Sequence, residues 1–264
     1  MSTANVIDAR RAAGQAAFVG YLPVGFPDFA GSVRAARELA AAGADIIELG
    51  LPYSDPTMDG GTIQVAAQRA LDEGFRVDDV FRAVEQVALT DVTVLVMTYY
   101  NPVFKRGVDR FAADLAQAGG AGLITPDLIP DEAADWIAAS DAYDLDRVFL
   151  VAPSSRDDRL ARTAAASRGF VYAASTMGVT GERTTLDSRA RQLVSRTRAA
   201  GAERVCVGIG VSTPTQAREV ASYADGVIVG SALVRCLLDS DRDAGVRALR
   251  ETAESLVAGA HGER

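Results

Sequence analysis

Eight short apolar runs, nearly all followed by a helical pattern, constrain this chain more than any other feature. They fall at residues 16–22, 46–49, 92–98, 122–125, 147–152, 170–174, 204–208 and 226–229. Between them, helical periodicity marks 29–42, 63–71, 77–88, 107–118, 131–140, 157–167, 187–200 and 213–222, with helices continuing to about 257. Strands apolar on both faces belong to parallel sheets covered by helices. Eight such units favour a closed (β/α)8 barrel, the TIM-barrel architecture, over an open doubly wound sheet. A short amphipathic helix near 4–13 adds an extra N-terminal element. No linker or composition shift divides the 264 residues, so one domain spanning 1–264 is the economical expectation.

One strand carries a charge where charge is costly. In the stretch GADIIELGLPYSDPTMDGGTIQ, Ile46 and Glu48 share one face and Ile47 and Leu49 the other, so Glu48 lies in a strand that is apolar on both sides. Two explanations stand. Glu48 pairs with a buried arginine or backbone N–H groups, or it is an acid or base raised toward neutral pH at the carboxyl end of a barrel strand. The following loop holds Asp55, before Pro56 and suited to a turn, and Asp59, which either caps the next helix or faces a ligand.

In barrels of this kind the loops after strands seven and eight commonly bind phosphate through backbone N–H groups. Here they read Gly208-Ile209-Gly210-Val211-Ser212 and Gly230-Ser231. A chain of net charge −8 can thus hold an anion without lysines. The loop after strand six, 175–183, is long, polar and flanked by glycine, in the manner of a lid.

The motifs ELGLPYSDPTMDGGTIQ, GYLPVGFPD and YAASTMGVTGER together resemble the tryptophan synthase alpha-subunit family, along nearly the whole chain. The chain departs from the family's usual pattern at Phe26, commonly Asp, and Gly61, commonly Pro. The resemblance implies cleavage of indole-3-glycerol phosphate to indole and glyceraldehyde 3-phosphate, without metal or Schiff base. It implies Glu48 and Asp59 as the catalytic pair. It also implies an indole pocket of Tyr21, Met97, Tyr99, Leu123, Tyr172 and Ile209, and phosphate contacts at Gly181, Gly210, Gly230 and Ser231. Thr180 would position Asp59 when the lid closes. Asp127 matches a residue of the family's interface and loop network, and a turn or cap role is its alternative. Pyridoxal phosphate would belong to a partner beta subunit, in an α2β2 complex, and this chain would need no cofactor.

Asp59, on its loop, is expected to be solvated and ionised, whereas Glu48 is expected to be buried with a raised pKa. The rival readings are another phosphate-binding isomerase or aldolase, and a silent barrel that only activates a partner. A Schiff-base aldolase is disfavoured because the chain has a single lysine, Lys105, beyond the end of the third strand. The acidic balance and scattered basic residues argue against nucleic acid or anionic membrane as partner. No signal-peptide core or membrane-length apolar run is present, so a cytoplasmic location is expected. Cys206 and Cys236 show no metal or disulfide spacing. The single histidine, His261, lies in a polar tail where disorder is expected and catalysis is not.

Overall fold

The computed structural model describes residues 2–174, 183–208, 210–238 and 241–262. Its strands are β1 (Ala17–Pro23), β2 (Ile46–Gly50), β3 (Thr93–Met97), β4 (Gly122–Thr125), β5 (Asp146–Val151), β6 (Val171–Ala174), β7 (Val205–Gly208) and β8 (Gly226–Val229). They pair in parallel, each with its sequence neighbour, and β8 closes on β1. The helices are α1 (Thr3–Ala12), α2 (Phe29–Ala41), α3 (Gly61–Asp72), α4 (Val77–Ala88), α5 (Tyr100–Arg106), α6 (Val108–Gln117), α7 (Ala134–Ala142), α8 (Asp157–Ala166), α9 (Arg183–Ala199), α10 (Pro214–Ala221), α11 (Ser231–Cys236) and α12 (Arg242–Ala260). The expected barrel and N-terminal helix are therefore present.

Alternation along each strand splits the core into two shells. Val19, Ile46, Leu95, Ile124, Val148, Phe170, Cys206 and Ile228 fill the lumen. Ile47, Leu49, Val94, Val96, Leu123 and Phe149 face the ring of helices. Both shells are apolar, which is why the strand runs show little polar alternation in sequence.

Helix α1 stops the lumen at the amino ends of the strands, with Ile7 packed into the lumen shell. At its first turn the Thr3 amide and hydroxyl donate to Asp146 Oδ2 at 2.8 and 2.6 Å. A carboxylate at a helix N-terminus satisfies orphan N–H groups and complements the helix dipole. The same end corrects the expectation for His261. It is ordered and only 8% exposed, and its Nε2 lies 2.9 Å from Asp45 Oδ2. Asp45 also accepts from Arg10 and from the Phe18 amide. A tail of polar composition is thus fixed by a buried carboxylate that needs donors, at the end of the barrel away from Glu48.

Helix α5 was not expected. Asn101-Pro102 suggests a loop, yet proline is tolerated in a helix's first turn, where its missing N–H is not needed. Asp127, exposed after β4, accepts from the Tyr100 amide at 2.9 and 3.2 Å and so serves the start of α5. This contact is of the kind its alternative reading allowed, although the N-cap residue of α5 is Tyr99.

Candidate active site

At the carboxyl ends of the strands a cavity of about 280 Å³ opens above the lumen shell. Tyr21, Glu48, Asp59, Ile63, Met97, Leu150, Tyr172, Gly208, Gly210, Ile228, Gly230 and Ser231 are among its walls.

Glu48 forms its base. The residue is 1% exposed, and its Oε2 has no hydrogen-bond partner. Its ladder neighbours are Tyr21 and Leu95. The structural explanation, a paired carboxylate, is thereby removed. Burial, and secondarily the charge of Asp59, push the Glu48 carboxyl from 4.5 up to about 8. At neutral pH this carboxyl carries a proton it can give away.

For Asp59 one of the two alternatives falls away, and the expected solvation is corrected. It does not cap α3: the N-cap is Gly60, without a side-chain cap bond. Nor is it fully solvated. The loop folds over the cavity, leaving Asp59 half-buried, and burial raises its pKa while the Tyr99 hydroxyl lowers it. That hydroxyl donates to Asp59 Oδ1 at 3.1 Å and accepts from the Thr57 and Met58 amides at 3.0 and 2.9 Å. Gln64 Nε2 donates to the Asp59 carbonyl at 2.8 Å. The carboxylate is therefore held from the end of β3, and the backbone that carries it from α3.

Two tyrosines lie across the mouth, and glycines make room for them. A Cβ on Gly50 would meet the Tyr21 hydroxyl at 2.2 Å, and one on Gly208 would meet the Tyr172 hydroxyl at 2.4 Å. Burial first, with nearby Asp59 and Glu48 adding for Tyr21 and Glu48 for Tyr172, raises both phenols well above their ordinary range, so they remain donors.

Of the expected indole pocket, Tyr21, Met97 and Tyr172 line the cavity. Leu123 does not. It is fully buried in the outer shell, while its neighbour Ile124 points into the lumen, as a period of two requires. Tyr99 supports Asp59 from behind the wall. Ile209, Thr180 and Gly181 lie outside the described residues. Sequence reasoning missed Ile63, Leu150, Ala152, Ala174 and Ile228 as lining residues. Leu150, Ala174 and Ile228 continue the inward phase that Tyr172 and Gly230 share, so alternation was the available signal.

On the same cavity, beyond β1 from the strand of Glu48, Gly210, Gly230 and Ser231 bring two turns together. Gly210 has φ of 76°, a conformation glycine adopts freely. Gly230 is the N-cap of α11, and its carbonyl accepts from the Leu233 and Val234 amides, which leaves the Ser231 and Ala232 N–H groups without an acceptor in the helix. No lysine reaches the cavity: Lys105 is exposed on α5.

The family described as Tryptophan synthase alpha chain matches residues 7–260. A tryptophan synthase alpha chain from Leifsonia xyli is 59% identical over 257 residues, covering 97% of this chain and 98% of the relative. One from Thermobifida fusca is 58% identical, covering 94% of each. A solved structure of Mycobacterium tuberculosis tryptophan synthase aligns with a TM-score of 0.91 at 54% identity, covering 98% of each chain. A chain of the tryptophan synthase complex from Pyrococcus furiosus aligns at 0.84 and 32% identity, covering 92% of this chain and 98% of that one.

Proposed function

This chain belongs to the tryptophan synthase alpha chain family, and from that premise we propose how the residues of its cavity divide the work. The reaction is a carbon–carbon lyase step, cleavage of indole-3-glycerol phosphate to indole and glyceraldehyde 3-phosphate. The chain works with a beta subunit, to which the pyridoxal phosphate of the complex belongs. Our reading makes residues 1–264 one catalytic unit, acting in the cytoplasm within an α2β2 assembly. Among the described residues no helix is long and apolar enough to cross a membrane.

Protonated Glu48 gives its proton to indole C3, which places positive charge on the ring nitrogen. Asp59 accepts the ring N–H and stabilises that charge. The Glu48 carboxylate so formed removes the proton from the side-chain hydroxyl next to the ring. The bond from C3 to the side chain then breaks, its electrons return to the ring, and the hydroxyl carbon becomes the aldehyde. Glu48 ends as it began, protonated. One group thus serves as acid and then base, a task suited to a pKa near the working pH. Gly210, Gly230 and Ser231 hold the phosphate through backbone N–H groups, with Gly181 a further phosphate contact and Thr180 a residue that positions Asp59, as the family resemblance implies. Asp127 links the β4 loop to α5.

The observation that carries this reading is a buried, unpartnered Glu48 sharing one cavity with Asp59. It is tested by release of indole from indole-3-glycerol phosphate by the purified chain. No release, alone or with beta subunit, would refute it.

A further inference from the structure

We propose that the Tyr21 hydroxyl is a specificity determinant that donates a hydrogen bond to a hydroxyl oxygen of the substrate's glycerol chain. The proposal rests on the cleavage reaction and phosphate placement given above. The ring of Tyr21 runs along the cavity wall from Gly230 to Gly50. A Cβ on Gly230 would lie 3.3–3.6 Å from the ring and Cβ of Tyr21, and one on Gly50 would meet its hydroxyl end. The side chain therefore spans the distance between the turn assigned to phosphate and the strand that carries Glu48. That is the path a glycerol chain must follow when its phosphate and its indole are both seated.

The hydroxyl is free to act. It makes no hydrogen bond to any described residue, although it lines the cavity. It is not used by Glu48, whose Oε2 is also unpartnered, nor by the Asp59 oxygen that accepts from Tyr99. Tyr21 faces Glu48 directly in the β1–β2 ladder. The substrate oxygen that surrenders its proton to Glu48 must come to this same place. A phenol left unpaired in a site favours ligands that supply an oxygen and disfavours those that lack one. Phenylalanine would fill the same space, so packing alone gives no reason for the oxygen. Tyr172 presents a second hydroxyl, against Gly208 on β7 and also near Glu48, so the test addresses Tyr21 by itself.

The test compares Tyr21→Phe with the natural chain, using two ligands that share indole and phosphate. One is indole-3-glycerol phosphate. The other is 3-indolylpropyl phosphate, which lacks both chain hydroxyls. The expected result is a fall in kcat/KM for the first of about three- to tenfold, with Ki for the second unchanged. Equal weakening toward both ligands would make Tyr21 a packing residue and overturn the proposal, as would no change toward either. If the natural chain released no indole, the functional reading would fail. The proposal would then be judged by the Kd of the same two ligands, where loss confined to the hydroxylated one supports it and any other pattern overturns it.

Discussion

The Tyr99 hydroxyl donates to Asp59 at 3.1 Å while accepting two amides of the same loop, so one oxygen on β3's end fixes both the carboxylate and the backbone that carries it. Tyr53 stacks on the Tyr99 ring, with centroids 5.1 Å apart, which limits where that oxygen can go. Tyr99→Phe keeps the ring and removes the tie. The expected outcome is a roughly tenfold lower kcat/KM, since misplacing a reacting group by a fraction of an ångström is costly. Thr57 and Met58 are exposed, so water can replace the lost acceptor and the melting temperature should change little. Steady-state rates and a melting curve on one sample check both statements.

Glu48→Gln should lower turnover by about a hundred- to ten-thousand-fold, because the amide keeps the shape and cannot exchange the proton. Its effect on stability has the opposite sign. Below pH 4.5 the parent's Glu48 is protonated folded or unfolded. Between 4.5 and about 8 the unfolded chain ionises and the folded one does not, so stability falls as pH rises through that window. Above about 8 the folded chain holds a buried charge costing on the order of a few kcal/mol. Denaturant unfolding should therefore find Glu48→Gln more stable than the parent at pH 8, with a gap that closes toward pH 4.5.

The same protonation governs rate. In the free enzyme kcat/KM should decline above about pH 8 as Glu48 loses the proton it must donate. An acid limb should come from Asp59, displaced above the ordinary aspartate range by burial. Asp59→Asn should abolish that limb along with most of the activity, while leaving the melting temperature nearly unchanged, because Asp59 caps no helix. A pH–rate profile for each chain decides the assignment.

Gly230→Asp should weaken binding of glycerol 3-phosphate at least tenfold. The new carboxylate faces the anion at the first turn of α11, and its Cβ would press on the Tyr21 ring at 3.3 Å. Unchanged affinity in a folded variant would place the phosphate elsewhere.

Much of this architecture was legible because burial writes itself into sequence. Fully apolar strands such as β3, TVLVM, announce a sheet covered on both faces, and Glu48 stands out against that background. What escaped depends on partners distant in sequence. Asp59 looked like a cap or a solvated loop residue because nothing nearby announces Tyr99, 40 residues on. His261 looked disordered because Asp45, which orders it, is 216 residues away. Leu123 was misplaced by one position, and a single step in a strand exchanges lumen for outer shell. Helix α5 begins on a contact from another loop, at Asp127.

The floor beneath Glu48 is solid: Ile46, Leu95, Ile124, Val148 and Cys206 fill the lumen, and Ile7 of α1 closes it from below. Among the described residues the packed lumen offers no way down through the barrel, so substrate and product share the carboxyl end of the strands. The loop that carries Asp59 lines that end, at Thr57, Met58 and Gly60, so indole formed over Glu48 would pass it on leaving. Whatever rests on that rim decides whether each molecule of indole is handed onward or lost to bulk water, so custody of the product is vested in the doorway and not in the chemistry below it.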